Sequence, residues 1–232
     1  GNSTTTADNN VAIGKEALFT NVTGAQNIAI GRQALHDSTV SYNVAIGYLA
    51  MAVTTTGEHN VAVGAFALDA NTTASKNTAI GYAALSANTT GGENTAIGYQ
   101  CLDNNTTGVE NTAVGSDALT SNTTGNNNVA VGRQAMLANT TGHYNTGVGF
   151  EAFEAQTTGQ HNVAVGWRSI KTANNNYNVA VGSQAAELTT GQLNTAIGYY
   201  AGRNATSGEN YTFVGAYCGG AATMTGHHNT GI

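Results

Sequence analysis

The sequence predicts an all-β fold, a parallel β-solenoid with 17-residue coils that occupies the whole chain, residues 1–232. Three observations support this prediction. A short motif returns about every 17 residues, the motif alternates β-branched and small residues, and the segments between its copies are rich in Asn, Thr and Gly. A repeat of two helices needs about 33 residues or more, so the shorter period favours a solenoid coil.

The composition limits the class of protein. Charged residues make up 9% of the chain, against about 25% in ordinary globular proteins, while apolar residues make up 41%. The net charge is −6, and the charges are scattered singly without a basic stripe, so we expect no nucleic-acid partner. No apolar run approaches the roughly 20 residues of a membrane span, so we expect no membrane insertion.

The repeat unit reads N-[VIT]-A-[IV]-G-x-x-A-[LM]-x-x-N-T-T-G-x-x. Its positions are numbered here from the first Asn, so that one coil runs from Asn94 (position 1) through the marker Gly98 (position 5) to Glu110 (position 17). The spacing between marker glycines is 17 residues, except for 16 at three places. These glycines are Gly14, Gly31, Gly47, Gly64, Gly81, Gly98, Gly115, Gly132, Gly149, Gly166, Gly182, Gly198 and Gly215. Thirteen full coils and a partial fourteenth therefore form a single repeat domain.

The alternation predicts two strands and two turns in each coil. Positions 2 to 4 form the first strand, and its β-branched positions 2 and 4 are expected to face the coil interior, as for Thr112 and Val114. Position 3, usually Ala, then faces outward, and Ala113 is expected to contact another chain. The Ala-Leu pair at positions 8 and 9 is expected in a second strand, as for Ala118 and Leu119. Asn-Thr-Thr-Gly is the return turn, because these residues favour turn conformations.

The Asn at position 1 opens nearly every coil. When coils stack, identical side chains lie above one another, and amide side chains in such a column can hydrogen-bond along it. We therefore assign these residues to a structural ladder and not to catalysis. The ladder comprises Asn27, Asn43, Asn60, Asn77, Asn94, Asn111, Asn128, Asn145 and Asn162.

The motif resembles known repeats. "NVAIG" at 43–47 and "NTAIG" at 94–98 resemble the YadA-like head repeats of trimeric autotransporter adhesins and the similar repeats of phage tail fibres. The resemblance covers the whole chain through one short motif. It implies a left-handed β-roll, an intertwined homotrimer and a role in cell attachment. The longer coil, with its Ala-Leu and Asn-Thr-Thr-Gly insert, departs from the adhesin pattern and is closer to the phage form.

No residue pattern indicates catalysis, a metal or a cofactor. Cys101 and Cys218 occupy position 8, which is Ala in most coils, so they are expected to be small structural residues. His59, His161 and His228 precede the opening Asn, in a slot that other coils fill with either charge and that we expect to face solvent. The carboxylates show no converging pair of the kind that glycan hydrolysis requires. We therefore expect no enzyme activity.

The variable positions 6 and 7, directly after the marker Gly, are the candidate recognition corner. Aromatic and basic side chains concentrate there, and such groups suit stacking on sugars or contacts with proteins. The alternative is that the aromatic rings cover the Leu column of a neighbouring chain. The corner comprises Tyr48, Phe66, Tyr82, Tyr99, Phe150, Trp167, Arg168, Tyr199 and Tyr200.

These features predict a non-enzymatic fibrous attachment protein, extracellular and on a virion or bacterial cell surface. A phage tail-fibre shaft or receptor-binding segment is the first candidate. The alternatives are a bacterial trimeric adhesin head, a filament-forming extracellular β-solenoid and an ice-binding β-solenoid. The expected partners are copies of the chain itself, in a homotrimer that could also stack end to end, and a cell-surface glycan or protein receptor. No capping coil is evident, so we expect both ends to continue into a longer fibre or to stack on other copies.

Overall fold

The computed structural model describes residues 7–172, 174–220 and 226–232 and shows a parallel β-solenoid of about thirteen turns with 17-residue coils. The all-β prediction is therefore confirmed, and the described residues contain no helix. Each coil contributes one short strand. The strands are β1 Val11–Ile13, β2 Ile28–Ile30, β3 Val44–Ile46, β4 Val61–Val63, β5 Thr78–Ile80, β6 Thr95–Ile97, β7 Thr112–Val114, β8 Val129–Val131, β9 Thr146–Val148, β10 Val163–Val165, β11 Val179–Val181, β12 Thr195–Ile197, β13 Thr212–Val214 and β14 Thr230–Gly231.

The chain forms two compact units, Gly1–Asp117 and Ala118–Ile232, built from the same coil. In the first unit, strands β1 to β7 pair in sequence order, all parallel. In the second unit, strands β8 to β14 pair in the same way. Each strand residue lies beside its equivalent in the next coil, as Ala79 does beside Ala96, so a column of equivalent residues runs along each unit.

The marker glycines lie where successive coils approach most closely. Gly81 has a φ of 139°, and a Cβ atom added to it would overlap the carbonyl oxygen of Gly98 in the next coil. Gly98 has a φ of 145° and meets Gly115 in the same way. Only glycine adopts this backbone conformation without strain. The constancy of position 5 therefore follows from the coil stacking itself.

The predicted orientation of the strand is wrong. Position 3 faces the interior: Ala96 and Ala113 are fully buried, whereas Ile97 is 38% exposed and Thr112 is half-buried. The residues assigned to the core, Thr112 and Val114, therefore lie on the outer face. Ala113, assigned to contact between chains, belongs to its own chain's core.

The reason is the width of the coil interior. At position 3 of one coil stands Gly147, and a Cβ atom there would lie 2.9 Å from Cγ of Met136 and 3.2 Å from Cδ2 of Phe153. There is room beside the position-9 side chains for a methyl group at most, so a β-branched residue cannot face inward. Gly147 faces Phe153, the largest residue found at position 9, and so has even less room than the usual Ala.

The predicted second strand is also wrong. Positions 8 and 9 lie in a turn-rich segment in which Gln100 and Leu102 have φ values of 48° and 53°. Consecutive residues of a strand point to opposite faces, but Cys101 and Leu102 are both fully buried. The left-handed residues curl the backbone so that both side chains reach the interior. Hydrogen bonds between coils continue here, from the Leu85 N–H to the Cys101 carbonyl at 3.0 Å.

In the last coils a large side chain at position 3 accompanies a missing side chain at position 9. Position 3 of β13 is Phe213 in place of Ala, and position 9 is Gly202 and Gly219 in the two nearest coils. A Cβ atom on Gly202 would lie 3.2 Å from the Phe213 ring. The phenyl ring therefore occupies the space that Leu fills elsewhere, and the core volume is kept.

We predict that Gly81→Ala destabilises the protein by about 3 kcal/mol, because the added methyl group overlaps the backbone of the next coil and positive φ is unfavourable for alanine. Gly92→Ala is the matched control. A Cβ atom at Gly92 has the Ser75 carbonyl oxygen as its nearest neighbour at 3.1 Å, and the residue is half-buried. It should cost about 1 kcal/mol or less. Urea denaturation followed by circular dichroism measures both, and equal losses would contradict the close-approach argument.

Candidate functional site

The position-1 asparagines form a buried, hydrogen-bonded column in each unit. The Asn77 Oδ1 atom accepts the backbone N–H of Asn94 at 2.9 Å, and its Nδ2 donates to the Gly91 carbonyl at 3.0 Å. In the second unit Asn145 Oδ1 accepts the Asn162 N–H at 3.0 Å. All nine ladder residues named above are at most 1% exposed. Their amide groups are occupied by the backbone of adjacent coils, so their function is structural.

A second Asn column, at position 12, was assigned only to the return turn. Asn88 and Asn105 are fully buried, and Asn105 Nδ2 donates to Asn88 Oδ1 at 2.9 Å. Asn88 Nδ2 also donates to the Gly91 carbonyl three residues later at 2.9 Å. The available signal was the return of Asn at position 12 in six of the thirteen coils, although Ser38 and Thr54 occupy the position in two coils of the first unit. A turn alone would accept Asp or Ser on the surface, whereas a buried amide column requires both a donor and an acceptor.

In the first unit, the recognition corner is a continuous ladder of four rings. Phe66 packs edge-to-face against Tyr48, with ring centroids 5.2 Å apart, and against Tyr82 at 5.8 Å. Tyr82 stacks on Tyr99 at 5.4 Å with an interplanar angle of 12°. The Arg32 guanidinium lies 5.7 Å from the Tyr48 ring centroid. Each ring of the column therefore contacts the next, with Phe66 edge-to-face on both neighbours and Tyr82 face-to-face on Tyr99.

In the second unit, the corner residues form separate groups. Arg133 lies 5.5 Å from the Phe150 ring centroid, and Arg168 lies 5.7 Å from that of Trp167. The Arg168 Nε atom also pairs with Glu151 Oε2 at 2.7 Å. Trp167 is 44% exposed. Among the described residues it stacks on no other ring, so this indole differs from the rings of the first unit.

A tyrosine cluster follows two coils later. Tyr199 packs edge-to-face on Tyr200 at 4.2 Å, and Tyr200 stacks on Tyr217 at 5.5 Å. The Arg203 guanidinium lies 4.6 Å from the Tyr200 centroid, and its Nε pairs with Glu187 Oε2 at 2.6 Å. The pKa of Tyr199 is raised to about 12, chiefly by its hydrogen bond with Tyr200 and to a smaller extent by burial. The hydroxyl of Tyr199 is therefore a neutral group near pH 7.

A second ring column lies at the last residue of the coil, directly before the next opening Asn (position 17, or 16 in a short coil), and includes two of the histidines predicted to face solvent. His59 stacks on Tyr42 at 5.0 Å, and His161 lies between Tyr144 at 4.9 Å and Tyr177 at 5.2 Å. His59 and His161 are exposed. The mixed charges of this slot predict exposure to solvent but not the aromatic stacking, for which the signal is that tyrosines alternate with histidines there.

The remaining titratable residues show local pairing. Lys76 and Glu93 pair at 2.7 Å, and Glu93 and Glu110 line a cavity of about 220 Å³ with Gly92 and Val109. Burial raises the pKa of the Cys101 thiol to about 12, which keeps it protonated and unreactive. Within the described ranges, no three His, Cys, Asp or Glu side chains are placed to hold a metal ion.

Comparison with known proteins finds no matching family model, no matching curated protein and no matching solved structure. No helix among the described residues is both long and apolar enough to cross a membrane.

We predict that Asn77→Ala costs about 2 kcal/mol of unfolding free energy, because it leaves the buried N–H of Asn94 without its acceptor and removes one of the two amide donors to the Gly91 carbonyl. Asn104→Ala is the control, since Asn104 is exposed and lies outside both columns. Its cost should stay below about 0.5 kcal/mol. Urea denaturation measures both. An Asn77→Ala protein as stable as the Asn104→Ala control would contradict the structural role of the ladder.

Proposed function

We propose that the chain is a homotrimeric, non-enzymatic fibrous attachment protein, with a phage tail-fibre shaft or receptor-binding segment as the first candidate. The observation that carries the proposal is the outer face of the strands. Positions 2 and 4 of every full strand are Val, Ile or Thr, and none is charged. A soluble protein seldom leaves such a face in water unless another molecule covers it.

The exposed fractions of the side chains support burial of this face in an assembly. Ile46 is 36% exposed and Ile80 39% in the first unit, and Ile197 is 41% exposed in the second. Neighbouring strands within a unit lie about 4.8 Å apart, so seven strands present a strip on the order of 30 Å long. Burying such strips stabilises an assembly by about 25 cal/mol for each Å² of apolar surface removed from water. In this proposal the chains contact one another through the β-branched face, and not through the Ala column that the sequence predicted.

The motif supports the choice of a trimer and of an attachment role. The resemblance of Asn-x-Ala-Ile-Gly to YadA-like head repeats and phage fibre repeats implies three chains around one axis, outside the cell. Three copies each contributing a flat β-branched face would enclose one apolar core. The longer coil favours the phage form over a bacterial adhesin head. A filament of such units stacked end to end remains an alternative form of the same architecture.

Ice binding is a second candidate function, and one observation favours it. Thr78, Thr95 and Thr112 occupy position 2 of three consecutive strands in register, on the outward side of the sheet. A flat array of threonine hydroxyl and methyl groups can order water. A thermal-hysteresis measurement tests this function: a freezing-point gap that Thr95→Tyr abolishes would favour ice binding, and no gap in the unmodified protein would exclude it. The two functions compete, because a face buried in a trimer cannot meet ice.

We predict that analytical ultracentrifugation gives a species three times the chain mass of 23.5 kDa. The double variant Ile46→Lys with Ile80→Lys should sediment as a monomer with an unchanged circular dichroism spectrum, because buried like charges in the interface oppose association. Val53→Lys is the control, since Val53 is 37% exposed but lies outside the strands. It should remain trimeric.

Two results would contradict the trimer. One is a monomeric unmodified chain at micromolar concentration. The other is a double variant that stays trimeric, which would show that the interface lies elsewhere.

A further inference from the structure

The recognition corner of the second unit contains a gap one ring wide. Trp167, Ser183 and Tyr199 occupy position 6 of three consecutive coils. The Gln184 N–H donates to the Trp167 carbonyl at 2.7 Å, and the Tyr200 N–H donates to the Ser183 carbonyl at 3.1 Å, so the three coils stack in register here. Two aromatic side chains are therefore separated by one coil that carries a small residue.

The first unit shows what such a gap holds. There Tyr48, Ala65 and Tyr82 occupy position 6 of three consecutive coils, and Ala65 is the small residue. The gap is closed by Phe66, at position 7 of the middle coil, which contacts Tyr48 at 5.2 Å and Tyr82 at 5.8 Å between centroids. The spacing of two coils therefore accommodates one six-membered ring in contact with both walls.

In the second unit the middle coil supplies no ring. Its position 7 is Gln184, which is 4% exposed because its Nε2 donates to Glu187 Oε2 at 2.8 Å. Glu187 also accepts from Arg203 Nε. This side chain is thus held inward, and the middle coil places no ring between Trp167 and Tyr199. Those two rings are 44% and 45% exposed.

The walls of the gap are held in place by other contacts. Tyr199 packs edge-to-face on Tyr200 in its own coil, at 4.2 Å, and on Tyr217 in the following coil, at 5.3 Å. Trp167 has the Arg168 guanidinium beside it, and the ion pair with Glu151 draws that guanidinium toward the preceding coil. None of these ring contacts comes from the coil that carries Ser183. A preformed site of this kind costs little ordering on binding.

We propose that this gap binds one neutral hexopyranose unit whose hydroxyl groups are equatorial. Such a ring carries C–H groups on both faces and hydroxyls around its rim. The gap offers two aromatic walls, and Ser183 in the coil between them supplies a hydroxyl that can hydrogen-bond to the rim of a sugar ring. An aromatic side chain in the same gap would contact the walls but would offer this hydroxyl no partner.

The charges favour a neutral sugar over an acidic one. Arg168 is paired with Glu151, and Arg203 is paired with Glu187. No unpaired guanidinium is therefore left at the gap to hold a carboxylate or sulfate. This site rests on the proposed attachment function and specifies its ligand class.

The test uses the single tryptophan of the chain as its own reporter. Cellotetraose, in which the ring hydroxyls are all equatorial, is titrated into the full-length protein while Trp167 fluorescence and its quenching by acrylamide are followed. We expect a saturable change in emission and reduced quenching. Ser183→Phe supplies the missing ring from the protein at position 6, where Tyr82 and Tyr99 of adjacent coils stack in the first unit, and should abolish the response.

Two further variants separate the site from general effects. Tyr199→Ala removes one wall and should weaken binding about tenfold, the effect of losing one ring contact and its share of buried surface. Tyr144→Ala removes an exposed Tyr of the position-17 column, 55% exposed, and should leave the affinity unchanged. Circular dichroism checks that each variant is folded.

Three outcomes would overturn the proposal. They are an unresponsive Trp167, a response that persists in Ser183→Phe, and a saturable response to N-acetyltyrosinamide but not to cellotetraose. The last would assign the gap to an aromatic side chain of a protein. Sedimentation of the same samples shows separately whether the protein is a trimer. A missing sugar site and a wrong trimer proposal therefore give different results.

Discussion

The structure depends on one hydrogen bond repeated along each unit, from the backbone N–H of a position-1 Asn to the Oδ1 atom of the preceding one. It measures 2.9 Å where the coil has 17 residues, as between Asn43 and Asn60, and 2.9 Å where it has 16, as between Asn27 and Asn43. The strand side of each coil is therefore held constant by the ladder and by the glycine approach. The missing residue of a short coil is absorbed in the return turn, because Asn27 Nδ2 donates to the Val40 carbonyl thirteen residues later, whereas Asn77 Nδ2 donates to the Gly91 carbonyl fourteen residues later.

The hydrogen bond to the preceding Asn is also kept in a coil whose position 1 is not Asn. Tyr211 replaces Asn at position 1, yet its N–H still donates to Asn194 Oδ1 at 3.2 Å, and its hydroxyl meets Thr189 Oγ1 at 2.6 Å. Burial raises the pKa of this phenol to about 12. The same coil carries Phe213 opposite Gly202. Two large rings thus enter the core where position 9 is smallest. The interior accepts a large side chain at a different position, provided that the total side-chain volume in the core is kept.

Part of this architecture could be read from the sequence and part could not. The 17-residue period, the Asn at position 1 and the Gly at position 5 each follow from identical residues stacking on themselves. Strand alternation, by contrast, predicts two faces without saying which is inside. The answer depends on the space beside Leu102 and its equivalents, which admits only a methyl group at position 3. The left-handed conformation of Leu102, with a φ of 53°, has no signal in an apolar residue that normally avoids it.

The recognition corner shows why variable positions in a repeat cannot be judged one coil at a time. Phe66 and Gln184 occupy the same position, and each follows a small residue at position 6. One ring fills the space between two aromatic neighbours, whereas the other side chain turns inward to Glu187 because a carboxylate at position 10 accepts its amide. A substitution at position 10 of one coil thereby decides whether the surface is open between the coils on either side. In the proposed sugar site the binding surface is made by three consecutive coils, and the stacking distance would fix the thickness of the ligand that they accept.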